Sequence, residues 1–297
     1  MSGFVSPFLV HSAVQAITPL LLAALAGSLC AQAGVFNIAL EGQILVGAFA
    51  AVAGSFHFAG AAAGVACGAA AATLFALILA CGSTMLRGDA IVIGIGMNLL
   101  ASGLTAYLLR QMFGVSGTFD DPRIIGLPAL RIAALDRAPL AAAVFSGQTA
   151  LTWLAWGVTA LIGVGLFRTA PGLRLRGVGA EAGAAATLGV AVGRYRAATV
   201  LGAGALTGLA GAQLALGTIS VFSEDMSAGR GWIAVVAVML GRNNPLLAAL
   251  ACVLFGFADA VGLRLQSLGM ASQLTDIAPY LVTLAALLLG RRPRQPA

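Results

Sequence analysis

The sequence predicts an all-α, polytopic membrane protein with about 8–10 transmembrane helices in one bundle. Of its 297 residues, 60 % are hydrophobic and only 9 % are charged, and the mean hydropathy is +0.99. A soluble domain carries roughly 25 % charged residues. Because each helical span needs about 20 apolar residues, the chain has room for that number of crossings. We therefore expect one transmembrane domain over residues 1–297.

Glycine content favours helices over a membrane barrel. A hydrocarbon core offers no water to unpaired backbone groups, and the 39 glycines with many alanines suit close helix packing better than alternating strands. Small residues recur every four positions in two segments, which predicts helix packing at Gly60, Gly64 and Gly68, and at Gly204 and Gly208.

Nine apolar segments are candidate spans. Two of them, 230–241 and 277–290, are short for a span, so either their ends extend further or these segments do not cross the membrane fully. The first 30 residues contain no Lys or Arg, so they lack the basic region of a cleaved signal peptide, and we expect the first span to be retained. The segments lie near residues 9–30, 35–55, 60–86, 90–113, 148–167, 197–219, 230–241, 245–263 and 277–290.

Arginine placement predicts the orientation. All sixteen basic residues are arginine; in a membrane chain their excess marks cytoplasmic loops, so we expect no nucleic-acid partner. The stretch from Arg168 to Arg196 sets five arginines against the single acid Glu181, and with the arginine-rich tail it should face the cytoplasm. The stretch 114–147 balances its charges and contains three prolines, so we expect an external loop.

Missing residue types exclude several kinds of catalysis. With no lysine, the chain cannot supply the GxxxxGK[ST] lysine of a P-loop ATPase. It has neither a GxSxG elbow nor an HExxH pair, and its two histidines, His11 and His57, lack ligand spacing. We therefore expect no catalytic residues, no cofactor and no metal.

The segment GVFNIALEGQ places polar side chains inside an apolar run. On a helix, Asn37 and Glu41 would share one face. A carboxylate in hydrocarbon costs roughly 3 kcal/mol or more, so it should point into the bundle or a water-filled path. One interpretation is that Asn37, Glu41 and Gln43 border a translocation pathway, with Gly34 and Gly42 allowing a broken helix. The other is that Glu41 pins neighbouring helices.

Asn98 is a second amide deep in an apolar stretch. An interhelical hydrogen bond is favoured there over contact with a solute. Contact with a solute is the alternative, which makes Asn98 a candidate pathway residue as well.

The external stretch that follows the sixth apolar segment has two acids before an arginine, Glu224, Asp225 and Arg230. These residues are candidates for contact with a delivery protein or for shaping the entrance. The alternative is an ion pair within the loop, which contributes little at a wet surface.

A further candidate element lies between two spans in the arginine-rich stretch. The sequence GLRLRGVGAEAGAAATLGV can form a short amphipathic helix able to dock into a partner. Its alternative interpretation is a solvated loop that only marks topology.

Three motifs together carry a family resemblance. They are GVFNIALEG from residue 34, FRTAPGLRLRGVG from residue 167 continuing to the TLGV at residue 187, and MSAGRGWIA from residue 226. In order and spacing they resemble the permeases of the nucleoside and simple-sugar branch of the branched-chain-amino-acid-type ABC importers, over nearly the whole chain. One departure is the run AEAGAAA, less polar than in many relatives.

The resemblance implies a multi-pass permease of the bacterial inner membrane. It implies that a cytoplasmic loop over about 169–196 couples to an ATPase, through Gly179, Glu181, Ala182, Leu188 and Gly189. It also implies the partners: an ATP-binding subunit, a second homologous permease, a periplasmic or lipoprotein substrate-binding protein, and the surrounding membrane lipids.

The expected activity is alternating access without covalent chemistry. A nearly charge-free interior suits a neutral polar solute such as a nucleoside or sugar. One rival is an ion-coupled secondary transporter with Glu41 as coupling carboxylate. A membrane-embedded enzyme is a second rival, but the chain shows no nucleophile, metal cluster or paired carboxylates for it.

Overall fold

A computed structural model describes residues 7–131, 143–217 and 219–267. It confirms the predicted all-α membrane bundle, since six of the described helices are long and apolar enough to cross a membrane. The expected span at 277–290 and the arginine tail lie outside the described residues. The helices are α1 (Pro7–Gln32), α2 (Leu40–Phe58), α3 (Ala61–Ala80) with a π-helical turn at Cys81–Met85, α4 (Ala90–Phe113), α5 (Ala150–Arg168), α6 (Ala170–Ala180), α7 (Ala182–Thr187), α8 (Val192–Leu216), α9 (Arg230–Leu240) and α10 (Pro245–Ser267).

The first helix forms the centre of the described bundle. In an apolar stretch of 18 residues in α1, 83 % of the residues are buried, whereas in the corresponding stretch of α4 only 22 % are. The side chains from Leu20 to Ala26 are all at most 3 % exposed. The amino-terminal span is therefore an integral core element, and α4 lies at the periphery.

Glycines let α2, α3 and α8 cross at close range. A Cβ on Gly208 would lie 2.5 Å from the carbonyl oxygen of Gly68, and one on Gly47 would lie 2.7 Å from the Gly208 Cα. On Gly64, a Cβ would come within 2.6 Å of the Ala51 carbonyl oxygen. The packing predicted from the four-residue spacing is thus present, except at Gly60, which lies before α3 and has only a distant neighbour.

Replacing one of these glycines should destabilise the bundle. We expect Gly208→Val to lower the midpoint of thermal unfolding, because the added side chain displaces α3 at a cost of about 1–3 kcal/mol. Gly202→Val is the matched control, since Gly202 lies in the same helix with no atom within 4 Å of a Cβ. Tryptophan fluorescence of the purified chain in detergent measures both. Equal midpoints for the two variants would contradict the proposed close crossing.

Two short strand pairs lie at one end of the bundle. β1 (Thr118–Phe119) pairs antiparallel with β4 (Phe222–Ser223), and β2 (Ala129–Leu130) with β3 (Gln148–Thr149). We call this the strand end. Of the expected external stretch, residues 114–131 lie here as loop apart from β1 and β2, and in the described part 143–147 residues 143–145 are helical.

Aromatic packing attaches the strand-end loops to the bundle. Phe119 stacks on Phe113 with ring centroids 4.1 Å apart, and Phe222 packs edge-on against Phe49 at 5.3 Å. Such pairs contribute about 0.5–1.5 kcal/mol each beyond their buried area. The loops are therefore held in place over the helix ends.

A surface ion pair extends from this cluster. The Arg123 Nε lies 3.0 Å from Asp121 Oδ1, and its guanidinium lies 4.0 Å above the ring of Phe56. The side-chain hydrogen bond from Arg123 holds the pKa of Asp121 below its usual value. The pair therefore stays ionised at neutral pH and contributes no net charge to this surface.

The opposite end carries α6 and α7, and we call it the arginine-rich end. There Gln32 Nε2 donates to the Asn243 carbonyl oxygen at 2.7 Å, joining the end of α1 to the turn after α9. Arg196 Nε donates to the Ala33 carbonyl oxygen at 3.2 Å. The start of α1 lies at the strand end, where His11 Nδ1 is 3.0 Å from Gln148 Nε2.

One crossing of the bundle is discontinuous. With 11 residues, α9 is only about 16 Å long, roughly half of a ~30 Å hydrocarbon core. The chain that precedes α9 comes from the strand end and is not helical. Phe222, at its start, pairs with Phe119. Further along, Asp225 Oδ1 accepts a hydrogen bond at 2.7 Å from Ser102 Oγ, which lies in the middle of α4. Irregular backbone at membrane depth must be surrounded by protein. The short predicted segment 230–241 is therefore a half-helix.

Candidate translocation pathway and coupling segment

Glu41 closes the amino-terminal end of the half-helix. Its Oε1 accepts from the Gly229 N–H at 2.8 Å and its Oε2 from the Gly231 N–H at 2.6 Å. Free N–H groups and the helix dipole make this end attractive to an anion. Gly231 allows the approach, since a Cβ there would lie 2.5 Å from the Glu41 Cα. The carboxylate thus joins α2 to α9, as the pinning interpretation predicted.

The connection between α1 and α2 is unwound. Helix α1 ends at Gln32 and α2 begins at Leu40, so the expected break near Gly34 is present, with Gly34 at φ +76°. Asn37 lies in this connection, and the expectation that Asn37 and Glu41 share a helical face is therefore wrong. Instead Asn37 Oδ1 accepts from the Ala39 N–H at 3.0 Å, which turns the backbone into α2.

Asn98 completes the first turn of α2 from a neighbouring helix. Its Nδ2 donates to the Ile38 carbonyl oxygen at 3.0 Å, and its Oδ1 accepts from the Gly42 N–H at 2.8 Å. In a regular helix these two backbone groups would bond each other. The interhelical hydrogen bond favoured by the sequence is present, and the amide of Asn98 takes the place of a backbone bond.

Gln43 connects the unwound segment to α8. It is fully buried, and its Oε1 accepts from Thr207 Oγ1 at 3.2 Å and from Asn37 Nδ2 at 3.4 Å. Its Nε2 has no partner among the described residues. The amides of Asn37 and Gln43 therefore meet, while Glu41 points to the other side, toward α9.

The predicted coupling segment contains two helices rather than one. Glu181 stands between α6 and α7 and caps α7, its Oε1 accepting from the Gly183 N–H at 3.3 Å. Ala182 begins α7, and Gly189 ends the segment at φ +78°. Leu188 is 84 % exposed.

The inner side of this segment rests on the α1–α2 connection. A Cβ on Gly179 would collide with the Gln32 carbonyl oxygen and lie 3.0 Å from the Gly34 nitrogen. Arg196, at the start of α8, bonds the Ala33 carbonyl oxygen. The coupling segment therefore contacts the unwound connection a few residues before Asn37 and Glu41.

Glu224 and Asp225, the two acids in the loop before α9, do not pair with Arg230. Glu224 Oε1 accepts from the Gly117 N–H at 3.1 Å, and Asp225 is bonded to Ser102. Arg230 Nη2 instead lies 3.9 Å from Asp259 Oδ2 on α10. The alternative of an ion pair within the loop is therefore wrong, and these side chains fix the re-entrant chain to its neighbours.

Sequence reasoning missed several partners of these residues. Ser102, Thr207 and Asp259 are polar side chains within apolar segments, a signal that was available for each of them. Arg196 was assigned to topology alone. Over the described ranges, no group of three or more His, Cys, Asp or Glu side chains could hold a metal ion.

The described part of the chain is a helical membrane bundle with one broken crossing, and comparison with known proteins assigns the family. The model of the family described as branched-chain amino acid transport system / permease component matches residues 9–287. The chain belongs to this family.

The relatives are permeases of ABC transporters. A nucleoside ABC transporter permease of Lactococcus lactis subsp. cremoris is 35 % identical, covering 92 % of this chain and 90 % of the relative. A guanosine ABC transporter permease of Bacillus subtilis is 31 % identical, covering 91 % and 87 %. A protein of Haloferax volcanii provisionally named a glucose ABC transporter permease is 33 % identical, covering 94 % and 90 %. No solved structure matches. These relatives do not support an ion-coupled secondary transporter.

Proposed function

We propose that the chain is one of two permease subunits of an ABC importer that carries nucleosides or simple sugars across a bacterial inner membrane. ATP is hydrolysed by a separate ATP-binding subunit, and a periplasmic or lipoprotein substrate-binding protein delivers the solute. Membrane lipids surround apolar outer faces such as that of α4. The family and the ABC permeases among the relatives support this proposal.

The observation that carries the proposal is a pair of contacts: one joins the predicted coupling segment to the α1–α2 connection, and the other joins the start of α2 to the half-helix. The exposed face around Leu188 receives the ATPase on the cytoplasmic side. Gly179 and Arg196 transmit its displacement to the α1–α2 connection. Glu41, at the start of α2, then carries it to the backbone of α9. The contacts at Gly179, Arg196 and Glu41 are direct, and the chain itself joins Leu188 to Gly179 and Gly34 to Glu41, so movement at one end can reach the middle of the bundle.

The pathway in this proposal runs beside the broken elements. Asn37, Glu41, Gln43 and Asn98 hold the unwound backbone that lines it, and the discontinuous crossing supplies an element that can tilt. Alternating access then needs rigid movement of α9 and the start of α2 against the α3–α8 packing.

The strand end receives the substrate-binding protein in this proposal. Glu224, Asp225 and Arg230 shape the entrance by fixing the re-entrant chain. The Asp121–Arg123 pair and the neighbouring loop form the outer surface there.

Copurification tests the assignment. We expect the tagged chain, extracted from its native membrane in mild detergent, to retain an ATP-binding subunit and a second permease, identified by mass spectrometry. Leu188→Asn should reduce the ATP-binding subunit at least about fivefold, since truncating a central contact costs about 1–2 kcal/mol or more. Leu130→Asn, an exposed leucine at the strand end, is the matched control. A chain that purifies alone and moves solute in liposomes without ATP would overturn the proposal.

A further inference from the structure

Asp225 is an ionisable side chain held at the middle of the membrane. Its Oδ1 accepts the hydrogen bond from Ser102 Oγ at 2.7 Å. Ser102 lies about 17 Å from either end of α4, a candidate membrane span, and so near the centre of a ~30 Å hydrocarbon core. The loop before α9 therefore brings a carboxylate from the strand end down to this depth.

The exposed side of Asp225 is not suited to contact with lipid. The side chain is exposed in the described chain, although it lies at membrane depth. A carboxylate at mid-membrane is costly, and such side chains pair with other groups or face a water-filled cavity. Asp225 forms no ion pair with any of the described residues. We therefore expect its exposed side to face water rather than hydrocarbon.

One oxygen of this carboxylate is used and the other is available. Ser102 donates to Oδ1, and none of the described residues donates to Oδ2. The backbone of Asp225 is at φ +54°, a conformation that Asp adopts more readily than most residues, and its carbonyl oxygen accepts from the Ala228 N–H at 2.9 Å. The carboxylate is thus fixed on one side, and its second oxygen remains an acceptor.

This position lies where three elements of the proposed pathway meet. Ser102 is one helical turn from Asn98, which bonds the backbone at the start of α2. Four residues after Asp225, the Gly229 N–H donates to Glu41. A solute at Asp225 would therefore lie beside α4, the start of α2 and the start of α9, and the last two are the elements that the proposed function requires to move.

A neutral solute with hydroxyl groups fits this acceptor better than a metal ion. A carboxylate oxygen only accepts hydrogen bonds, and bonds to a charged acceptor are stronger than neutral ones. A metal ion needs several ligands, and within the described ranges no group of three or more His, Cys, Asp or Glu side chains could hold one. Glu41 is already used by the N–H groups of Gly229 and Gly231. One free acceptor therefore calls for a hydroxyl donor.

We propose that Asp225 contacts the transported solute at mid-membrane, with Oδ2 accepting a hydrogen bond from a solute hydroxyl group. The inference rests on the proposed function and adds to it a residue that selects among solutes. A site built to bond a hydroxyl group rejects an analogue that lacks it, because the acceptor is left unpaired. This role is separate from fixing the re-entrant chain, which the bond to Ser102 performs.

Chemical modification tests whether Asp225 faces water. Asp225→Cys is prepared in the transporter that contains the ATP-binding subunit and second permease, in lipid nanodiscs. The anionic, membrane-impermeant thiol reagent MTSES should modify the introduced thiol, as located by mass spectrometry. Leu99→Cys is the matched control, since Leu99 is 74 % exposed on α4 and about one turn from Ser102. It should react at least about tenfold more slowly, because the reactive thiolate does not form in hydrocarbon.

Two results of this experiment would overturn the inference. One is equal modification of Asp225→Cys and Leu99→Cys, which would place Asp225 in the same surroundings as a lipid-facing leucine. The other is modification of Asp225→Cys in the isolated chain but not in the complete transporter, which would show that the second permease covers Asp225.

Uptake of matched solutes tests the hydroxyl contact. Proteoliposomes contain the complete transporter and ATP, and each solute is supplied at a concentration that saturates the substrate-binding protein. Asp225→Ala should lower the maximal uptake rate of guanosine at least about tenfold, while that of 2′,3′-dideoxyguanosine stays within about twofold of wild type. Monodeoxy analogues of glucose replace this pair if glucose is the solute taken up, and at least one of them should be insensitive to the substitution.

A purely structural role would affect the solute and its analogue alike. Equal loss for both in Asp225→Ala, or no loss for either, overturns the inference. Asp225→Asn keeps the size of the side chain and the acceptor for Ser102 but loses the charge, so its uptake of guanosine should be intermediate.

The inference and the proposed function fail in different experiments. A wild-type transporter that takes up neither guanosine nor glucose with ATP contradicts the proposed function itself. The reactivity of Asp225→Cys toward MTSES does not depend on uptake, and its absence contradicts only the position assigned to Asp225.

Discussion

Gly179→Ala is expected to reduce ATP-driven uptake at least about fivefold, since an overpacked contact costs about 1–3 kcal/mol and about 1.4 kcal/mol corresponds to a factor of ten. The added methyl group would collide with the Gln32 carbonyl oxygen, so α6 must move away from the end of α1. The displacement separates the coupling segment from the connection that it contacts. Uptake into proteoliposomes and ATP hydrolysis measured in parallel should show hydrolysis without proportional transport.

Gly177→Ala separates this effect from helix propensity. Gly177 lies in the same helix, and nothing lies within 4 Å of a Cβ built there. Alanine favours a helix over glycine by about 1 kcal/mol at both positions. Uptake should therefore stay within about twofold of wild type for Gly177→Ala. If both variants transport normally, the contact at Gly179 does not transmit coupling.

Glu41→Ala is expected to abolish transport and to lower stability. Removing the carboxylate leaves the N–H groups of Gly229 and Gly231 without acceptors inside the membrane, at a cost of about 1–3 kcal/mol for each. Glu41→Gln keeps one acceptor but turns an amide donor toward the second N–H. Its residual uptake should therefore lie between those of Glu41→Ala and wild type, with uptake measured at fixed ATP and thermal unfolding measured in detergent.

The pH profile of Glu41→Gln distinguishes pinning from ion coupling. If Glu41 pins α9, the residual uptake should keep the wild-type pH profile and still require ATP. Loss of a pH dependence that wild type shows, with uptake that runs without ATP, would instead make Glu41 a coupling carboxylate. A structural control is Gln111→Ala at the exposed end of α4, which should change neither property.

The elements that follow from composition were predictable. Apolar length located the described spans, and the shortness of 230–241 indicated an incomplete helix, because helix length and bilayer thickness are both fixed quantities. The break near Gly34 was also visible, since glycine and polar residues interrupt an apolar run there. The arginines and the family resemblance predicted a coupling segment between α5 and α8, and its coupling role stays a prediction.

Partners distant along the chain were not predictable from local patterns. The sequence showed that Glu41 is costly to bury. Its partners are the backbone N–H groups of Gly229 and Gly231, and because almost every residue has a backbone N–H, no pattern in the sequence points to these two. Asn37 was predicted to lie on a helix because its spacing from Glu41 fits the helical period. In the structure Asn37 lies in the α1–α2 connection, and the side chain of Asn98 bonds the backbone just after it.

The bond between Glu41 and the half-helix also sets a problem of timing during synthesis. The carboxylate and the Gly231 N–H are 190 residues apart in the chain. At about 5–20 residues per second, a ribosome needs on the order of 10–40 s to cover that distance. Throughout that interval the first two helices have left the ribosome, but the N–H groups that will donate to Glu41 have not yet been synthesised. The nascent chain must therefore keep Glu41 hydrated or sheltered by the insertion machinery until α9 emerges.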